Sequence, residues 1–203
     1  NLIGFPLITY DQQSSSQVVE DKSLLEVIKF TEVAESAKLE LGVSFHSDEN
    51  DNSGNSSHVT AADYDGDGDL DVYTATFDPA TSTYKHFLFN NEMGRFTDVA
   101  KDVGIDHSGK ELSALFADYD NDGFLDLYVA NYETWGVMRA IGNHDRLYKN
   151  INGIRFEDIT DFEGIRPDEA MCGRGVTWTD INFDGFQDIV VANYRLDPNF
   201  LWL

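Results

Sequence analysis

The chain has 203 residues, enough for one large domain or two small ones, and its 41% hydrophobic and 13% aromatic content can build a substantial core. Its 37 Asp and Glu against 14 Lys and Arg leave a formal charge of −23, which disfavours nucleic acid and anionic membrane surfaces as partners. That charge also opposes compaction unless something neutralises it, and because it is clustered, bound divalent cations are the first candidates.

The N-terminal segment, residues 1–57, opens on Leu2-Ile-Gly-Phe-Pro-Leu-Ile-Thr-Tyr10, an apolar stretch without the basic start of a signal peptide. With no initial Met, the chain is expected to be a mature or excised product. A strand is expected near 28–34, where Phe30-Thr-Glu-Val-Ala34 repeats a pattern found again at Phe96-Thr-Asp-Val-Ala100. Residues 44–57 are rich in Asp, Asn, Ser and Gly and read as a polar loop; Asn55-Ser-Ser57 is a formal glycosylation acceptor.

Repeat unit 1 spans 58–111. A short strand leads into Asp63-Tyr-Asp65-Gly-Asp67-Gly68-Asp69-Leu-Asp71, and β-branched and aromatic residues come next. Repeat unit 2 spans 112–172 and carries Asp118-Tyr-Asp120-Asn-Asp122-Gly123-Phe124-Leu-Asp126. Repeat unit 3, residues 173–203, carries Asp180-Ile-Asn182-Phe-Asp184-Gly185-Phe186-Gln-Asp188. The leading aspartates Asp63, Asp118 and Asp180 recur at intervals close to sixty residues. The likeness extends past the loops, since His86-Phe-Leu-Phe-Asn-Asn-Glu-Met-Gly-Arg-Phe96 aligns with Arg146-Leu-Tyr-Lys-Asn-Ile-Asn-Gly-Ile-Arg-Phe156 and each copy then reaches a Gly-Ile pair, Gly104-Ile105 and Gly164-Ile165. Each unit reads as strand, acidic loop, strand, connection, strand, tight turn, strand. The predicted fold class is therefore all-β, with four-stranded antiparallel blades of the β-propeller type. Unit 3 stops after its third strand at Asn199-Phe-Leu-Trp-Leu203, so three visible units imply part of a larger or partner-completed propeller. Tyr73, Phe87, Tyr128, Tyr148, Trp178 and Trp202 fall at strand positions and are expected in the core between units.

The loops have the chemistry of calcium sites. Calcium takes six to eight oxygen ligands, which a short loop supplies when alternate side chains point inward. Positions 1, 3, 5 and 9 give side-chain oxygens: Asp63, Asp65, Asp67 and Asp71; Asp118, Asp120, Asp122 and Asp126; Asp180, Asn182, Asp184 and Asp188. Position 7 offers a backbone carbonyl, from Asp69, Phe124 and Phe186, while Gly68, Gly123 and Gly185 take the sharp turn at position 6. Asp, Asn and Gly also favour ordinary turns, but three copies at matching places in a repeat argue against that reading. Magnesium is the weaker rival because it binds fewer ligands and retains water. An EF-hand needs Glu at position 12 and a helix after it. Position 12 here is Thr74, Val129 and Val191, which also removes a dockerin-type loop. A phosphatase with an aspartyl nucleophile needs Thr or Val at position 5, where Asp67, Asp122 and Asp184 stand.

The loops resemble FG-GAP/VCBS repeats, as in integrin α-subunit propellers. The match is closer to the cartilage acidic protein/ASPIC-UnbV group, through Leu147-Tyr-Lys-Asn150, Phe96-Thr-Asp-Val99 and Gly173-Arg-Gly-Val-Thr-Trp178. The likeness covers roughly residues 58–203 and the stretch near Phe30. It implies a propeller, usually seven-bladed, with calcium between the first two strands of a blade, and an extracellular or cell-surface setting. The literal Phe-Gly-Gly-Ala-Pro string is absent.

No catalytic site is expected. His46, His58, His86, His107 and His144 form no H-E-x-x-H, and neither a nucleophile elbow nor a Gly-rich phosphate loop occurs. The lone Cys172 can form no internal disulfide and is expected to be a buried packing residue. No apolar run is long enough to span a bilayer. The expected function is an extracellular, non-enzymatic calcium-binding module serving adhesion or the binding of a protein or glycan partner, with about three structural Ca2+ sites. The alternative is a subunit of a surface fibre or layer that self-assembles by strand donation across open edges.

Overall fold

A computed structural model describes residues 34–37, 58–78, 81, 83–132, 134–135, 140–141, 143–165, 171–194 and 197–203. The expected polar loop 44–57, and the expected strand near 28–34 apart from Ala34, lie outside the described residues. Ala34 opens the short helix α1 (Ala34–Ala37). The described residues belong to one compact unit, Ala34–Leu203.

Among the described residues, everything else regular is β. The first sheet is a meander of β1 (Val59–Ala62), β2 (Asp71–Asp78), β3 (Thr83–Glu92) and β4 (Arg95–Asp98), each antiparallel to the next. The second begins with β5 (Glu111–Ala117) and β6 (Asp126–Asn131). A small hairpin of β7 (Thr134–Trp135) and β8 (Ala140–Ile141) comes next, and β9 (Arg146–Ile151) and β10 (Arg155–Asp158) then complete the same meander order as in the first sheet. The third sheet holds β11 (Gly173–Thr179), β12 (Asp188–Asn193) and β13 (Phe200–Trp202). Three antiparallel sheets of four, four and three strands thus match the three sequence units in turn.

Alternation along β6 decides how the sheets stack. Successive side chains on a strand point to opposite faces. Leu127 and Val129 enter one core with Tyr73, Leu88, Tyr148 and Phe156; Tyr128 and Ala130 enter a second with Leu147, Ile189 and Val191. A strand buried on both faces reads as an unbroken apolar run, as Leu127-Tyr-Val-Ala130 does. The two cores repeat each other: Tyr73 and Leu88 occupy in the first the places that Tyr128 and Leu147 hold in the second. Of the aromatics expected between units, Tyr73, Tyr128 and Tyr148 are buried there and Trp178 and Trp202 pack against the second core. Phe87 is in neither cluster and stacks on Phe89 at 5.6 Å. Cys172 is buried.

The Gly-Ile pairs close each unit onto its neighbour. Ile105 and Ile165 are buried in the first and second cores. Gly104 takes φ of +96°, and a side chain there would meet the Phe156 carbonyl at 2.5 Å, because Phe156 N–H donates to the Val103 carbonyl at 2.6 Å. Only glycine satisfies both conditions.

The register corrects the sequence alignment by one residue. Pairing of Val72 with Phe89 and of Leu127 with Tyr148 makes Asn91, not Asn90, the counterpart of Asn150. The turns explain the slip. Met93-Gly94 is a two-residue turn with φ of +51° and +84°, whereas Asn152, Gly153 and Ile154 form a three-residue turn. Among the described residues, no helix is long and apolar enough to cross a membrane.

Candidate metal centres

Each acidic loop joins the first strand of its sheet to the second, and the backbone folds the three loops alike. Position 6 has φ of +94° at Gly68 and +93° at Gly123 and Gly185, the sharp turn its glycine predicts. Position 4 is left-handed as well, at Gly66, Asn121 and Phe183. Each loop runs directly into a strand, β2, β6 or β12, so Thr74, Val129 and Val191 lie on strands rather than on the exit helix of an EF-hand.

Backbone N–H groups hold the carboxylates from outside. The position-1 carboxylate bridges the loop: Asp63 accepts from Gly66 at 2.8 Å and Gly68 at 3.0 Å, Asp118 from Asp122 at 3.0 Å and Gly123 at 2.9 Å, Asp180 from Asp184 at 3.1 Å and Gly185 at 3.0 Å. The position-3 oxygen accepts from the position-5 N–H, at 3.3 Å for Asp65 and Asp120 and 2.9 Å for Asn182. The position-5 oxygen accepts from the position-7 N–H, at 2.8 Å for Asp67, 3.0 Å for Asp122 and 2.9 Å for Asp184. Asp71, Asp126 and Asp188, at position 9, are buried and accept from Tyr64 N–H at 3.1 Å, Tyr119 N–H at 3.2 Å and Ile181 N–H at 2.8 Å.

Oxygens of Asp63, Asp65 and Asp71 lie within 4.8 Å of one another, and those of Asp118, Asp120 and Asp126 do the same. Two oxygens bound to one cation at about 2.4 Å can be no more than about 5 Å apart, so both triads fit a single divalent ion. Asp67 and Asp122 stand outside these triads. In the third loop Asn182 brings a neutral amide oxygen to position 3, between Asp180 and Asp188, and its Nδ2 donates to Asp184 Oδ2 at 3.0 Å. The side chain of Asp69 turns away and accepts from Met93 N–H at 2.7 Å. Burial pushes the Asp71 carboxyl up to about 6. Asn91 and Tyr64 N–H bonds work against that rise, and the charges of Asp65 and Asp67 add to it. Asp126 rises to about 6 through burial, with Asp122 and Asp118 adding their repulsion.

Sequence reasoning missed the residues that reach these loops from the neighbouring hairpins. Asn91 and Asn150 donate through their backbone N–H to Asp71 at 2.8 Å and Asp126 at 2.7 Å. Their side-chain amides donate to the Leu70 and Leu125 carbonyls, and their Oδ1 atoms accept from Gly94 and Gly153. Asn150 also donates to the Tyr64 carbonyl of loop one at 2.8 Å, and Asn121 of loop two to the Gly185 carbonyl of loop three at 2.8 Å, so loops one and two are each tied to the next unit. The recurring Leu-aromatic-x-Asn string carried this signal, obscured by the unequal turns.

A separate polar group lies between the first two sheets. Glu111 is fully buried, 3.3 Å from His86 Nδ1, with Tyr73 OH 2.8 Å from the same nitrogen. His107 packs on His86 with ring centres 3.7 Å apart, and burial with the neighbouring His86 holds it down to about 2, neutral at any ordinary pH. These side chains fit a buried polar tie between sheets.

No family model matches the chain. It is 29% identical over 168 residues to cartilage acidic protein 1 of Mus musculus, an alignment covering 75% of this chain and 25% of that protein. The chain therefore spans about a quarter of the length of that curated relative.

Proposed function

We propose that the chain is a non-enzymatic calcium-binding module of the FG-GAP/VCBS kind, part of a β-propeller, extracellular, and serving adhesion or the binding of a protein or glycan. The carrying observation is the convergence of three carboxylate oxygens within 4.8 Å in each of two loops that turn alike at positions 4 and 6. All-oxygen donors on a short loop suit calcium, and a third loop with the hydrogen-bond pattern of the second supplies a third site. The propeller reading is supported by three successive meanders that stack through repeating cores. The likeness to a protein named for cartilage and acidity supports the extracellular setting. Calcium acts here as a structural pin. It neutralises side chains that otherwise repel, and it holds two strands of a sheet and the adjoining hairpin in register.

Calcium binding to the folded form alone raises stability by RT ln(1 + [L]/Kd), about 2.7 kcal/mol per site at a hundredfold excess over Kd. Thermal unfolding with EGTA and then with added calcium is the test. The expected result is a lower melting temperature in chelator and its recovery with calcium; identical melting curves refute the calcium reading.

A second reading, a fibre or layer subunit joined by strand donation, draws on a cavity of about 410 Å³ between the second and third sheets. Tyr119 and Trp178 line it, where their counterparts Tyr64 and Phe116 hold the ring of Phe156 in the first core. A further strand bearing an aromatic residue would fill it. Removal of residues 1–10 tests donation by that segment: assembly that survives the deletion excludes it.

A further inference from the structure

The two triads differ in what reaches them from the third strand of their own sheets. The register makes Asn90 and Lys149 structural equivalents, each one residue before the asparagine that holds the position-9 aspartate. Asn90 Nδ2 donates to Asp65 Oδ2 at 2.7 Å. Lys149 Nζ makes the same contact with Asp120 Oδ2 and lies 3.4 Å from Asp122 Oδ2. Site one thus receives a neutral amide, and site two a full positive charge set between Asp120 of its triad and the neighbouring Asp122.

We propose that Lys149 is a built-in competitor for the second cation site: site two fills only as the ammonium withdraws, and it binds calcium more weakly than site one. The proposal rests on the calcium reading of the loops. An ammonium on Asp120 occupies a lone pair that calcium needs, and it offsets one of the four carboxylate charges of the loop. Ligand charge is among the factors that set the calcium affinity of such loops. Lysine suits the task because its charge rides on a flexible four-carbon stem. A resting place is at hand, since Nζ already lies 5.8 Å from the centre of the Tyr119 ring, within reach of a cation–π contact. Linkage makes the competition reciprocal: whatever Lys149 costs calcium, calcium costs the Lys149 ion pairs. The consequence is a graded module. Site one holds the fold at low calcium, and site two responds only when calcium is plentiful, with its loop kept together by Lys149 until then.

The test is calorimetric titration of calcium into the metal-free chain as wild type, Lys149→Asn and Asn90→Lys. The substitutions exchange the two natural solutions at equivalent positions. Lys149→Asn is expected to tighten one binding event about ten-fold and leave the others unchanged, and Asn90→Lys to weaken a different event by a similar factor. A second measurement needs only the wild type. Acetylation of each lysine, with peptide mass spectrometry as the readout, should show Lys149 reacting several-fold faster at saturating calcium, with exposed Lys101 as the unchanged reference. If every protein binds calcium with the same affinities, or if Lys149 reactivity does not rise with calcium, the competitor role is wrong while the calcium reading stands. If no protein binds calcium, both fall. Should a variant fail to fold, the acetylation result on the wild type decides.

Discussion

Phe183 shows what a single residue costs in a repeated frame. Position 4 of each loop is left-handed, and Gly66 and Asn121 are residues that tolerate it. The third loop puts Phe183 there at φ of +62°, with its ring 90% exposed. An L-residue with a bulky side chain loses roughly 1–2 kcal/mol in this region, and an exposed ring recovers little of it by burial. Phe183→Gly is therefore expected to stabilise the chain by about 1 kcal/mol, less than the strain because glycine loses more entropy on folding. Urea unfolding measures it, and a loss of stability would show that the Phe183 ring has a packing role.

The loop and its hairpin are the working element, and their electrostatics set a pH dependence. Burial, with help from neighbouring carboxylates, raises Asp71 and Asp126 to about 6 in the metal-free protein. A proton on either carboxyl competes with a cation, which needs the ionised form. On the calcium reading proposed above, affinity is therefore expected to be constant above about pH 7 and to fall as pH drops through 6, with protons released on binding near that pH. Titrations about one and a half units above that pKa and about one unit below it, each in two buffers of different ionisation heat, check both points. Equal affinity at the two pH values would contradict the role given to Asp71 and Asp126. Much of this element was legible in the sequence. The order Asp, Asp or Asn, Asp, Gly, Asp announces alternate inward oxygens and a left-handed turn, and the residues after it announce a strand. The hairpin's share was hidden. Asn91, Asn150 and Lys149 approach the loops from twenty or more residues away, and turns of unequal length shift their alignment by one.

At the scale of the whole molecule, stability depends on sheets that are buried from both sides. β6 lies between two cores, so a side chain lost from it leaves a hole that the sheet cannot close by moving toward either neighbour. Leu127 is fully buried in the first core, and Leu127→Ala is expected to cost about 2–5 kcal/mol. Denaturant unfolding at saturating calcium separates this loss from any change in metal binding. A cost below about 1 kcal/mol would mean that the stacking of the first two sheets contributes little.

The sequence by itself determined the local physics: strand character from β-branched and aromatic runs, turns from glycine and asparagine, and clustered carboxylates from aspartates at alternate positions. These are short-range properties, decided by sterics and hydrogen bonds between near neighbours in the chain, and three copies made them unmistakable. Only the tertiary structure decided which hairpin residue meets which loop, which face of β6 enters which core, and that Glu111, His86 and His107 share one buried pocket of polarity. Those outcomes arise from strand register and from the stacking of whole sheets. A one-residue slip in register exchanges every partner, and the chain records it only through turn length and the recurring Leu-aromatic-x-Asn string.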